Sequence, residues 1–129
     1  MFGIKRDATD ALFSNFIRKR DKYTCQRCHR VYDGPSQAIH CAHIFSRRNI
    51  STRWDPENAI ALDFSCHQHW SEEPLEMYEW YKKKYGEAQF NALLLRKNIP
   101  TKVDKKLIRI GLKLLMKELE DKEFILGKH

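Results

Sequence analysis

Three runs decide how this chain folds: Cys25-Gln26-Arg27-Cys28, His40-Cys41-Ala42-His43-Ile44-Phe45-Ser46-Arg47-Arg48, and Leu62-Asp63-Phe64-Ser65-Cys66-His67-Gln68-His69. All four cysteines of the sequence, and every histidine but His129, fall between Cys25 and His69. Cys-x-x-Cys places two thiolates on one tight turn, a spacing that suits tetrahedral zinc. Cys66 is the obvious third ligand. Asp63, His69 and Cys41 all stand as candidates for the fourth. The same pair could serve as a redox dithiol, but the thioredoxin-like alternation of strands and helices is absent around it.

Working outward, the Asp33-Gly34-Pro35-Ser36 turn separates the knuckle from a β-prone run over 37–45. A polar loop over 46–58 and a short apolar strand over 59–63 follow, the two strands being antiparallel. A helix starts at Ser65 or Cys66 and runs to about Ser71. Upstream, Asp7 caps a helix to Arg20 whose apolar face is Leu12, Phe13, Phe16 and Ile17. Downstream, helices are expected over 74–85, with Leu75, Tyr78, Tyr81 and Trp80 inward and Gly86 as its stop, then over 87–97 and 104–121. In the last, Ile108, Leu112, Leu115 and Leu119 form a stripe, widened by Leu107, Leu114 and Met116. That stripe is read as core, with a homodimer contact as the second reading. Trp54 is read as a plug beneath the polar loop.

At 129 residues, the chain is expected to form a single domain over 1–129, with a core over 21–72 and a helical extension over 74–122. A formal charge of +7 and a pI near 9.3 favour a polyanionic partner, nucleic acid before an anionic membrane. No apolar run qualifies as a membrane span or a signal-peptide segment, so no membrane association is expected. A cytoplasmic location keeps the cysteines reduced and leaves them to a metal.

Taken in order, Cys25-x-x-Cys28, His43, Asn58 and Cys66-His67 resemble the HNH (ββα-metal) endonuclease family. The flanking words Phe16-Ile17-Arg18-Lys19-Arg20-Asp21, Cys41-Ala42-His43-Ile44-Phe45-Ser46-Arg47-Arg48 and Thr52-Arg53-Trp54-Asp55-Pro56-Glu57-Asn58-Ala59 are similar to its phage-type members. The resemblance spans roughly 12–85. It implies an α+β fold: a small ββα-metal core with a zinc knuckle, an N-terminal helix, and two to three C-terminal helices. It also implies a metal-dependent DNA endonuclease. His43 would be the general base, Asn58 would hold the loop or orient the base, and His67 would bind catalytic magnesium or manganese. Arg47, Arg48 and Arg53 would clamp flanking phosphates, a task that suits a planar, permanently charged fork.

The sequence departs from the family pattern at two positions. Many members carry Asp or His, as second metal ligand, where this chain has Ala42. Side chains two apart on a strand share a face, so His40 is nominated in its place. Asp63 stands where the family has a zinc cysteine, which favours it over His69 as the fourth ligand beside Cys25, Cys28 and Cys66. The competing function is a zinc-stabilised nucleic-acid-binding module without catalysis. By resemblance, a bacterial or phage-infected cell and a role beside phage packaging or recombination machinery are expected.

Overall fold

The computed structural model describes residues 5–125. Its elements are α1 (Ala8–Arg20), β1 (Ile39–His43), a single 3-10 turn (Pro56–Asn58), β2 (Ala59–Asp63), α2 (Phe64–Glu72), α3 (Pro74–Tyr85), α4 (Glu87–Asn98) and α5 (Lys105–Ile125). The architecture is α+β, with β1 and β2 forming a two-stranded antiparallel sheet in register Ile39↔Asp63 through His43↔Ala59. The first strand is shorter than its β-prone run, because pairing begins only where β2 offers a partner. No helix among the described residues is long and apolar enough to cross a membrane.

α1 starts where a reciprocal cap can form. The Asp10 backbone N–H donates to Asp7 Oδ1 at 3.0 Å, and the Asp7 N–H donates to Asp10 Oδ2 at 2.8 Å. Arg18, Lys19 and Arg20 close the helix, where the dipole favours cations.

Strand parity sorts the hairpin's side chains. Cys41 and His43 turn toward the α1 side, His43 stacking 5.6 Å from Phe13. His40 turns toward α2, and Ala42 joins the cluster on that side. One core, including Ile39, Ile60, Leu62, Cys66, Trp70, Tyr81 and Leu93, unites the hairpin with α2, α3 and α4. A second, including Phe13, Phe16, Ile17, Trp54 and Leu112, joins α1 to α5 and holds Trp54 as a plug. Burying such side chains is worth roughly 1.5–3 kcal/mol each.

Two expectations about packing change. Leu75 is 74% exposed, because α3 turns Met77 and Tyr81, one helical turn apart, to the core instead. In α5 the stripe Ile108, Leu112, Leu115 and Leu119 does pack on α1, with Met116 beside it. Leu107 and Leu114 do not widen it, since both lie on the far side of the helix and are exposed. Gly86 ends α3 with φ +96, a conformation that a side chain would strain.

Candidate functional site

Short-range backbone bonds build the knuckle. Thr24 and Val31 form an isolated antiparallel bridge, Cys25 N–H donates to Arg30 O at 2.9 Å, and His29 N–H donates to Cys25 O at 2.8 Å. Gln26 N–H donates to Ala61 O at 2.9 Å, which pins the knuckle to β2. Both knuckle cysteines therefore face the start of α2. There Asp63 caps the helix, its Oδ1 accepting from Cys66 N–H at 2.9 Å.

The donor atoms of Cys25, Cys28, Asp63 and Cys66 all lie within 4.8 Å of one another, a group able to hold a metal ion. Cys28 Sγ is 3.1 Å from Asp63 Oδ2, and the Tyr32 hydroxyl donates to the same oxygen at 3.3 Å. Burial opposes the Asp63 charge, but donation from the Cys66 N–H and the neighbouring thiols outweighs it and holds this carboxyl at about 2. Burial pushes the Cys66 thiol up to about 12. A bound cation reverses that cost, because it favours the thiolate. His69 stands outside the group: its Nε2 lies 3.1 Å from both carboxylate oxygens of Glu76. Cys41 packs against the α1 core, where burial pushes its thiol up to about 12.

The second centre is histidine-based. His43 Nε2 sits 2.9 Å from the carbonyl oxygen of Arg53. A carbonyl can only accept, so Nε2 carries the hydrogen and Nδ1 keeps the basic lone pair. Burial lowers the pKa of this histidine to about 4, the nearby Arg47 charge acting in the same sense. His43 is therefore neutral at neutral pH. His67, on the first turn of α2, is also lowered, by burial and then by the adjacent His40. His40 Nδ1 and His67 Nδ1 are 3.0 Å apart. A cavity of about 240 Å³ lies between the hairpin and α2–α3, lined by Ala42, His43, Ile44, His67, Trp70, Ser71, Pro74 and Met77. His43 and His67 are thus both among the residues that line one space.

Asn58 does not touch the base. It is fully buried, donating through Nδ2 to Phe45 O at 2.9 Å and Thr52 O at 3.0 Å, while its Oδ1 accepts from Phe45 N–H at 2.8 Å. Its place is the tie that closes the polar loop between the strands. Arg48 is exposed on that loop and Arg47 is half-buried.

Arg53 corrects the expectation of a phosphate clamp. Its guanidinium is buried against Asp10, with Nη2–Oδ2 at 2.6 Å and Nε–Oδ1 at 2.9 Å, and also donates to Lys5 O at 3.0 Å. The loop turns this side chain inward because Asp10, desolvated in the first turn of α1, needs a charged partner. Trp54 Nε1 donates to the same carboxylate at 2.9 Å.

Asp10 and Arg27 are the contributors that motif reading passes over. The capping-box spacing Asp7–Asp10 is the signal for the first. Arg27, inside Cys-x-x-Cys, donates to Cys66 Sγ at 3.4 Å and pairs with Glu76 at 3.4 Å, which spacing alone does not reveal. No family model, curated protein or solved structure matches this chain.

Proposed function

We propose that this protein is an HNH-type, metal-dependent DNA endonuclease built on a zinc knuckle. One observation carries the reading: a single cavity is lined by both His43 and His67, His40 stands 3.0 Å from His67, and the His43 tautomer is set by a backbone carbonyl. Hydrolysis of a phosphodiester needs a base for water and positive charge at the phosphate. His43, neutral and with Nδ1 free to accept, takes the proton from the attacking water. His67 and His40 are the residues that would hold the catalytic ion. Bound there, a divalent cation supplies charge to the scissile phosphate and to the leaving 3′ oxygen. Arg48, exposed on the loop between the strands, is placed to meet a flanking phosphate, and the net charge of +7 attracts DNA to the surface.

The knuckle takes zinc in this reading. Ligands about 2.3 Å from a tetrahedral ion stand about 3.8 Å apart, and the four donor atoms already lie within 4.8 Å of one another. Zinc would pin the knuckle to the β2–α2 corner, so that Cys66 holds architecture while its neighbour His67 serves chemistry.

Ala42 favours a second reading, a nucleic-acid-binding module without catalysis. It lines the cavity with an apolar methyl where a ligand is expected. Plasmid DNA decides between them: purified protein relaxes or linearises it with a divalent ion, and His43→Ala loses cleavage by about 10²–10⁴-fold while retaining fold and DNA binding. Absence of cleavage with every divalent ion tried selects the binding module. A His43→Ala protein cutting at wild-type rate removes His43 from the reaction.

A further inference from the structure

We infer that Phe64 is a stacking platform for an unpaired nucleobase, so that DNA with a base unstacked beside the scissile phosphate is the preferred substrate. The inference rests on the nuclease reading for the phosphate; its own basis is the placement of Phe64. The buried stripe of α2 is Cys66 and Trp70, one helical turn apart. Phe64 stands two residues before Cys66, about 200° around the helix from it, and so points away from the core. Its N–H is held by Ala38 O at 3.0 Å, which fixes the backbone, while the residue is left 63% exposed. Single exposed apolar side chains are common on protein surfaces. What sets Phe64 apart is its company. Its ring lies edge-on to His40 at 6.0 Å, and His40 meets His67 at 5.2 Å.

His40, Phe64, His67, Gln68 and Ser71 line an open cavity of about 210 Å³. His67 and Ser71 also line the cavity that His43 lines, so a phosphate seated there has its adjoining nucleotide beside Phe64. The chemistry of the lining selects a base as that occupant. An aromatic face stacks on any base, and the exposed Gln68, four residues on and so on the same side of α2, offers an amide donor and acceptor to a base edge. Among the described residues, no carboxylate lines this cavity to repel a polyanion. An apolar occupant would instead bury the Gln68 amide without a partner, which is unfavourable. Within paired DNA each base is covered on both faces by its neighbours, so none is open to Phe64. Extruding a paired base carries an unstacking cost that a mismatched or single-stranded base largely escapes. The platform thus shifts the expected substrate from continuous duplex toward DNA with a base already loosened.

Binding of the zinc-loaded full-length protein to two duplexes of one sequence tests this, with no other divalent ion added. One duplex is fully paired, and the other carries a single mismatched 5-iodouracil. The mismatched duplex binds at least about fivefold tighter, and light cross-links its iodouracil to Phe64, located by peptide mass spectrometry. Phe64→Ala loses that preference, weakening mismatched binding by about 5–150-fold, the span of one base–aromatic stack. Its affinity for the paired duplex is unchanged, which shows that the variant folds, and Phe64→Trp restores the preference. Equal wild-type affinity for the two duplexes, an unchanged preference in Phe64→Ala, or cross-links confined to other residues overturns the inference. A preference that depends on Phe64, with mismatched DNA uncut under every divalent ion tried, upholds the platform and removes the nuclease reading instead. Cleavage of both duplexes at one rate, alike in wild type and Phe64→Ala, does the reverse.

Discussion

The carbonyl oxygen of Arg53 holds His43 Nε2 at 2.9 Å, while the side chain of the same arginine grips Asp10 at 2.6 Å. The expected phosphate clamp is thereby a strut. By anchoring the loop backbone beneath α1, the ion pair fixes the position and tautomer of the nearest basic imidazole.

Breaking that strut costs stability and aim together. Both partners are buried, so Asp10→Ala leaves a desolvated guanidinium and an orphaned Trp54 N–H. The loss expected is about 3–5 kcal/mol, read as a lower urea midpoint. Arg53→Lys should lose less stability but still slow cleavage, because one ammonium cannot replace a two-point fork. An Arg53→Lys protein that cleaves at the wild-type rate separates the strut from the base.

Asn58 predicts a different signature. Three hydrogen bonds vanish in Asn58→Ala, leaving Phe45 N–H, Phe45 O and Thr52 O without this partner inside the protein. At about 1–3 kcal/mol for each buried group left unsatisfied, a loss above 2 kcal/mol is expected on denaturation. Activity should fall through the disordered loop, and metal binding at Cys25, Cys28, Asp63 and Cys66 should persist. A stable Asn58→Ala protein that is nonetheless inactive would place Asn58 in the chemistry.

Local signals were the most legible part of this sequence. Asp7, Gly86 and Pro74 mark helix ends through cap and backbone chemistry that acts within a few residues, and the helix bounds follow closely. The Cys25, Cys28 and Cys66 grouping was readable too, since thiols at that spacing have few other uses. What sequence left open needed direction in space. Family register favours Asp63 over His69 only slightly, and it is the turn of α2 that sends His69 to Glu76. Arg53 reads as another surface cation among several, because its buried partner Asp10 lies 43 positions earlier. Leu75 and Leu107 show the limit of periodicity: a broad apolar helix does not say which of its edges faces the core.

Asp63 does two jobs that substitution can separate. It caps α2 and contributes a donor to the knuckle. Asp63→Asn keeps an amide oxygen for the cap but weakens the metal ligand, so zinc content should drop while the metal-free fold changes little. Asp63→Ala loses both, with about 1 kcal/mol more from the missing cap. Cys28→Ser should release zinc with a large fall in melting temperature. Equal zinc content and melting in all three variants would remove the metal from the architecture.

Acid sensitivity should trace back to His43. Its pKa in the fold is about 4, below the ordinary value of 6.5, since burial disfavours the charged ring. The unfolded chain therefore binds the proton first. The neutral ring's contribution to stability is full above about pH 6.5 and is lost as pH falls through about 4. In that window the wild-type urea midpoint should decline relative to His43→Gln, which has no ring to protonate. Single-turnover cleavage should likewise hold its rate through pH 6.5, with any loss from base protonation coming nearer 4. Following the His43 ring protons by NMR gives the titration directly, and a midpoint near 6.5 would mean that the imidazole is solvated rather than desolvated against Phe13.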